Sequence, residues 1–404
     1  MSFDLVQMGE VAKFINGDRG KNYPSKDSFV ESGIAFINAG CLSDLNILDK
    51  SKLNYITEEN YNRLSSGKIQ KNDILFCLRG SLGKFAVIRD NELGALASSL
   101  VIIRANEKVD VEYLKHFLSS DLCAKEINAY ENGAAQPNLS ASDLKKFQIP
   151  LPPLSEQKRI AEILDKADEL RQKRQQSIEK LDELLQTTFI DMFGDPVSNP
   201  KGWETKPLKN FALKVQSGNT PKGGKENYLK EGITFFRSQN VWKNKIIYDD
   251  IAFIDEETHK KMLGSSLKHK DILMTKTGRI NTENSSLGRA AIYLGEDDKA
   301  NLNGHVYLIR LSEKVNPFFI LSILTLPSYY EYIRSLCVGG IDKRQLNKEH
   351  IESFSIIYPP IELQDKFAKI KQNIEQQKQI LIKQLEQQEN LFQSLQQRAF
   401  NGEL

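Results

Sequence analysis

The side chains best suited to chemistry in this sequence are basic and polar, and they stand on glycine-containing loops. Between Lys201 and Lys245 there are ten Lys or Arg against three Glu, a local net of +7 in a chain whose total is +2. Within that stretch Ser217-Gly218-Asn219-Thr220-Pro221-Lys222-Gly223-Gly224-Lys225 offers hydroxyl, amide and ammonium donors with little bulk. Arg237-Ser238-Gln239-Asn240 groups the side chains that pair with guanine and adenine edges. Lys276, Thr277, Arg279 and Arg289 follow. The first half of the chain offers Arg19 and Lys21, Asn38, Arg79 with Ser81 and Lys84, and Gln136 with Asn138. Taken singly, each could be a solvated loop residue; their recurrence at matching places in two halves of the chain argues for a shared role in binding nucleic acid. The set is therefore Arg19, Lys21, Asn38, Arg79, Ser81, Lys84, Gln136, Asn138, Thr220, Lys222, Lys225, Arg237, Gln239, Asn240, Lys276, Thr277, Arg279 and Arg289.

Catalytic patterns are missing. Gly83-Lys84 is followed by Phe85 and Gly224-Lys225 by Glu226, so no phosphate-cradling G-x-x-x-x-G-K-[ST] loop is present. Leu151-Pro152-Pro153-Leu154 and Tyr358-Pro359-Pro360-Ile361 lack the amide and the correctly placed aromatic ring with which adenine methyltransferases hold a flipped base. No carboxylate pair followed by E-x-K suggests a nuclease metal site, and the chain reads as non-catalytic. Cys41, Cys77, Cys123 and Cys337 stand far apart, away from the histidines, so they read as buried, reduced thiols rather than zinc ligands or disulfides.

The loops belong to a unit written twice. Gly33-Ile34-Ala35-Phe36-Ile37 returns as Gly232-Ile233-Thr234-Phe235-Phe236, and Asn72-Asp73-Ile74-Leu75-Phe76 as Lys270-Asp271-Ile272-Leu273-Met274. Ser81-Leu82-Gly83-Lys84 returns as Ser286-Leu287-Gly288-Arg289, and Val101-Ile102-Ile103-Arg104 as Tyr307-Leu308-Ile309-Arg310. Such matches in one order mean duplication. Short β-rich runs mixed with amphipathic stretches predict an α+β unit with a largely antiparallel or mixed sheet.

Each unit is followed by a long stretch without Gly or Pro. From Leu154 to Met192 an alternation of four and three runs through Ile160, Leu164, Ala167, Arg171, Arg174, Ile178, Leu181, Leu185, Thr188 and Met192, the spacing of a coiled-coil seam. It follows Pro152-Pro153 and stops at Gly194-Asp195-Pro196, where Gly can take the left-handed position. After Pro359-Pro360 a second seam runs through Phe367, Ile370, Ile374, Gln377, Leu381, Leu385, Gln388, Phe392, Leu395 and Ala399. The polar run Arg171 to Gln176 and its counterpart Glu375 to Gln379 suggest that the two helices pair about their middles. The start carries no basic leader and the longest apolar run is too short for a bilayer, so the chain reads as cytoplasmic.

With these parts in this order, the chain resembles the specificity subunits of type I DNA restriction-modification systems. The resemblance rests on Pro150-Leu151-Pro152-Pro153-Leu154-Ser155-Glu156-Gln157 with Arg159-Ile160, the Met192-Phe193-Gly194 exit, the Asp-Ile-Leu strands, Ser217-Gly218-Asn219-Thr220-Pro221-Lys222 and the terminal Arg398-Ala399-Phe400-Asn401-Gly402-Glu403-Leu404. It covers the whole chain. It implies a target-recognition domain at 1–152, a conserved helix at 153–194, a second recognition domain at 195–357 and a second conserved helix at 358–404, the two helices forming an antiparallel coiled coil that holds the domains apart. It also implies a bipartite double-stranded DNA target, two methyltransferase subunits carrying S-adenosylmethionine, and restriction (motor-nuclease) subunits, with no cofactor or metal on this chain. A stand-alone coiled-coil DNA-binding scaffold or repressor, and a self-contained methyltransferase or nuclease, are the competing readings.

Overall fold

The computed structural model describes residues 3–20, 22–43, 46–130, 139–221, 223–279, 284–340 and 343–404. It divides into two compact units, one of residues 1–175 with 383–404 and one of residues 176–382.

In the first unit β1 (Leu5–Gln7), β2 (Ala12–Asn16), β3 (Ile34–Ile37), β4 (Asn54–Ile56) and β5 (Ile74–Cys77) precede β6 (Phe85–Val87), β7 (Gly94–Leu96), β8 (Leu100–Ala105) and β9 (Gln148–Pro150). They form an antiparallel sheet in the order β2-β8-β5-β6, a mixed sheet β4-β3-β7 with β3 and β7 parallel, and the pair β1-β9. Both faces of β5 and β8 are covered, which is why these strands read as continuous apolar runs. Alternate side chains serve separate cores. Ile74, Phe76, Val101 and Ile103 meet Tyr113, Leu114 and Phe117 of the helix Val111–Leu118. Leu75, Cys77, Leu100 and Ile102 meet Ile37, Cys41 and Leu96.

The second unit repeats this plan with β10 (Thr205–Pro207), β11 (Ala212–Ser217), β12 (Ile233–Phe236), β13 (Ala252–Ile254), β14 (Ile272–Thr275) and β15 (Thr277–Gly278). Next come β16 (Ala290–Ile292), β17 (Ala300–Leu302), β18 (Val306–Leu311), β19 (Val338–Gly340), β20 (Lys343–Gln345) and β21 (Ser355–Ile357). Its sheets are β11-β18-β14-β16, β13-β12-β17, β10-β21 and a small antiparallel β15-β20-β19. Here too Ile272 and Met274 face one core while Leu273 and Leu308 face another. Both units are thus α+β with antiparallel and mixed sheets, as the sequence predicts.

One ionic device recurs. Fully buried Asp73 takes Arg104 in a bidentate pair (2.7 and 2.8 Å) and caps the Gln70 N–H at 2.8 Å. Asp271 takes Arg310 (2.9 and 2.7 Å) and the Lys268 N–H at 2.7 Å. The turn residue before each, Asn72 or Lys270, is left-handed at φ 69° and 70°.

The two long helices are Leu154–Phe193 and Ile361–Asn401. Every residue of the first predicted seam is buried or half-buried. Within the first unit Arg159 donates to the Leu404 carbonyl and Arg171 stands 3.8 Å from Glu389; within the second, Phe193 packs on Phe367 and Lys378 pairs with Asp182. Numbers rise along one helix as they fall along its neighbour, so the strands of the pair are antiparallel. The register differs from the sequence expectation. Arg171 and Arg174 face Phe392 and Gln388, not the Glu375–Gln379 run, because the aromatic and aliphatic residues set the offset. Gln377 is exposed and Lys378 occupies the seam in its place. At the first helix's end Gly194 is left-handed (φ 78°) and its N–H reaches the Ile190 carbonyl at 2.7 Å.

A buried glutamine fixes the start of each long helix. Gln157 donates to the Pro152 carbonyl (2.8 Å) and accepts from the Asp110 N–H (2.8 Å); Gln364 donates to the Pro359 carbonyl (2.8 Å) and accepts from the Asn316 N–H (3.0 Å). Asp110 and Asn316 in turn cap the helices Val111–Leu118 and Pro317–Thr325.

Candidate nucleic-acid interface

In the second unit β11 and β14 both run antiparallel to β18, with Ser217 opposite Tyr307 and Thr275 opposite Val306. The segments after β11 and β14 and before β18 therefore share one end of the sheet. Backbone hydrogen bonds tie them into a rim: Asn219 N–H to the Leu302 carbonyl (3.1 Å), Asn303 to Phe236 (2.9 Å), Lys276 to His305 (2.8 Å) and Leu346 to Lys276 (2.9 Å). The approach at Gly218 is close enough to require glycine, since a Cβ there would lie 2.3 Å from the Leu302 and Asn303 carbonyl oxygens. The first unit builds the same rim through Ala97 to Ile37 (2.8 Å), Leu78 to Ser99 (3.0 Å) and Leu139 to Leu78 (3.1 Å). Gly17 takes the place of Gly218, its Cβ position 2.8 Å from the Leu96 and Ala97 carbonyl oxygens.

The rim gathers many of the candidates and gives them unequal exposure. Thr220 and Arg279 are exposed, and Lys276 and Thr277 are half-buried, with the Lys276 ammonium 5.6 Å from the Tyr307 ring centre. Arg19, Arg79 and Ser81 are exposed in the first unit and Lys84 is half-buried. The Arg19 N–H caps Asp18, whose carboxylate is held below its usual range chiefly by the Ser65 N–H at 2.7 Å. Gln239 is exposed and bound to Asp250; Arg237 is largely buried and bound to the same acid. Lys21, Gln136, Asn138 and Lys222, with the Lys225 side chain, lie outside the described residues.

Three candidates are occupied by the fold itself. Asn240 is fully buried, accepting from the Arg237 N–H (3.0 Å) and donating to the Ile247 carbonyl (3.1 Å). Asn38 caps its own turn through the Gly40 N–H (2.8 Å). Arg289, 6% exposed, lies 3.6 Å from the Trp242 ring centre and donates through Nε to the Ser285 carbonyl (2.8 Å). Burial pulls its pKa down, an expense met by cation–π contact and hydrogen bonding. Arg289 and Lys84 are backbone counterparts, since Thr275 N–H meets the Arg289 carbonyl as Cys77 N–H meets that of Lys84.

Sequence reasoning missed Arg344, in the middle of the small sheet opposite Gly278 and Gly339, whose Nε is buried without a partner. The Lys343-Arg344-Gln345 run was its signal. Among the described residues no group of three or more His, Cys, Asp or Glu is arranged to hold a metal, and no helix is long and apolar enough to cross a membrane.

The two copies also match one family. The model of the Type I restriction modification DNA specificity domain matches residues 2–180 and again 200–389. The chain is 25% identical over 382 residues to the putative type I restriction enzyme MjaX specificity subunit of Methanocaldococcus jannaschii, covering 88% of this chain and 84% of that one. It is 25% identical over 415 residues to the MjaVIII specificity subunit of the same organism, covering 100% and 93%. In fold it is similar to a solved type I restriction-modification system S subunit from M. genitalium, with a TM-score of 0.56 at 18% identity over 99% of this chain and 96% of that one. With nearly its whole length accounted for by two tandem matches to one domain, this chain belongs to the type I restriction-modification DNA specificity family.

Proposed function

We infer that this chain chooses the DNA sequence on which a type I restriction-modification complex acts, reading a bipartite site with residues 1–152 for one half and 195–357 for the other. The observation that carries this reading is the glycine-lined rim built at the same end of equivalent sheets in both units, each bearing exposed arginine. Arg19, Arg79, Ser81 and Lys84 in one rim, and Thr220, Lys276, Thr277 and Arg279 in the other, supply donors for phosphates and base edges. Arg237 and Gln239 join them once freed from Asp250. The helices at 153–194 and 358–404 serve two methyltransferase subunits, which hold S-adenosylmethionine and carry out methylation, and restriction subunits complete the complex. The chain itself contributes sequence choice and works in the cytoplasm.

The adenine methylome of the source cells tests this directly. Deleting the gene should abolish methylation at one bipartite motif, and exchanging residues 1–152 for the equivalent part of a relative should change one half of that motif alone. An unchanged methylome after deletion rejects the reading; alteration of both halves by the exchange rejects independent readers.

A further inference from the structure

Arg237 and Gln239, which close β12, are both held by one acidic side chain that the sequence pattern did not single out. Asp250 Oδ2 accepts from Gln239 Nε2 at 2.6 Å and lies 3.1 Å from Arg237 Nη2, which also donates to the Asp250 carbonyl. The carboxylate is 76% exposed while the arginine side chain is only 11% exposed. The guanidinium carbon lies 5.7 Å from the Tyr228 ring centre, and Nε is buried without a hydrogen-bond partner. Asp250 itself is left-handed at φ 51°, a conformation few residues other than glycine adopt.

Guanine offers an arginine two acceptors on one edge, and adenine offers an amide one acceptor and one donor. A carboxylate offers the same guanidinium fork two oxygens. Asp250 therefore engages one guanidinium nitrogen, Nη2, and the Gln239 amide, both donors that a base edge would use. Its exposure keeps the hold weak enough to exchange, because solvent and salt screen an ion pair at the surface.

Resting on the reading that Arg237 and Gln239 meet DNA, we propose that Asp250 is an internal competitor for them and so a specificity-determining residue of the second unit. A base edge that satisfies both side chains displaces it; a lone phosphate oxygen does not. In the first unit Asn38 and Gly40 stand where Arg237 and Gln239 do, and Lys52 stands where Asp250 does, so those positions carry a different set of side chains.

The test is the methylome of source cells carrying the full chain with Asp250→Gly or Asp250→Asn. Both replacements tolerate the left-handed backbone, and Asn keeps the loop's side-chain shape. The expected result is about tenfold more methylated sites bearing one wrong base in a single half of the motif, the scale of one side-chain-to-base discrimination. Adding Arg237→Ala should cancel that gain, and Asp249→Asn, whose side chain meets neither donor, should leave the wild-type pattern. A wild-type pattern for both Asp250 variants overturns the proposal, as does relaxation of both halves or an equal effect from Asp249→Asn. Failure of the underlying DNA reading looks different, because deleting the gene then changes nothing.

Discussion

Lys84 and Arg289 hold the same backbone position in the two copies but differ in burial, Lys84 being half-buried and Arg289 6% exposed. Replacing Arg289 with Ala removes a guanidinium stacked on Trp242 and leaves the Ser285 carbonyl unpaired, so it should cost about 2–4 kcal/mol of stability in a denaturant melt. Replacing Lys84, half-buried on the rim, should flatten the salt dependence of DNA binding by about one unit. An Arg289→Ala melt equal to the wild type, or a salt slope unchanged in Lys84→Ala, would refute the corresponding expectation. The two residues look alike in the sequence because charge and the Ser-Leu-Gly context are local, whereas the difference comes from Trp242 on a distant loop. Asn240 teaches the same point: its amide is of a base-reading type, yet it is fully buried and spent on backbone groups. Residue type showed where the rim lies but not which of its members face outward.

Among elements, the second long helix carries a buried cation. Lys371 Nζ meets Asn244 Oδ1 (3.2 Å) and Ser322 Oγ (3.1 Å), and desolvation pulls its pKa from 10.5 to about 8, against Glu375 and Asp182, which raise it, and with Lys378, which lowers it. The folded state therefore binds fewer protons than the unfolded chain between these values. The Lys371 contribution to stability should be flat below pH 8 and rise by on the order of 3 kcal/mol as pH climbs from about 8 towards 10.5, opposed above pH 9 by the buried thiols of Cys123 and Cys337, which burial makes harder to ionise. Lys371→Leu, matching Leu164 at the equivalent place in the first helix, should remove the Lys371 component of that rise; a melt whose pH dependence is the same with and without Lys371 would refute it. Gln157→Leu and Gln364→Leu should each cost about 3 kcal/mol by stranding a buried N–H and carbonyl, measured by the same melts. The periodicity displayed both helices and their ends, since Gly, Pro and the seam are local signals. Their register was hidden, because Arg171 packs its stem and charge on Phe392 rather than seeking the other polar run.

For the whole molecule, duplication was legible because aligned short motifs survive in order, and the α+β class followed from strand-like and helix-like periods. The two cores on opposite faces of each central sheet were not, since alternate residues of one apolar strand look equivalent until both coverings are known. The register makes the spacing between half-sites testable. Four residues inserted beside Arg174 need a matching insertion beside its neighbour Gln388, and together they lengthen the pair by about 6 Å, or roughly two base pairs of unread spacer. Methylome motifs that keep the original spacer with both halves intact would reject this ruler. The division of the chain has a further consequence, in the order of synthesis. Residues 176–382 are one uninterrupted stretch, but the first unit is completed only by residues 383–404, with Phe400 seated against Tyr113 and Phe117 and Gln396 bonded to the His116 carbonyl. A ribosome therefore delivers all of the second unit before the last wall of the first, and the usual sequence in which the amino-terminal domain matures early is inverted. A chain ending at residue 382 and released from the ribosome should resist proteolysis in residues 176–382 while residues 1–175 stay open to cleavage.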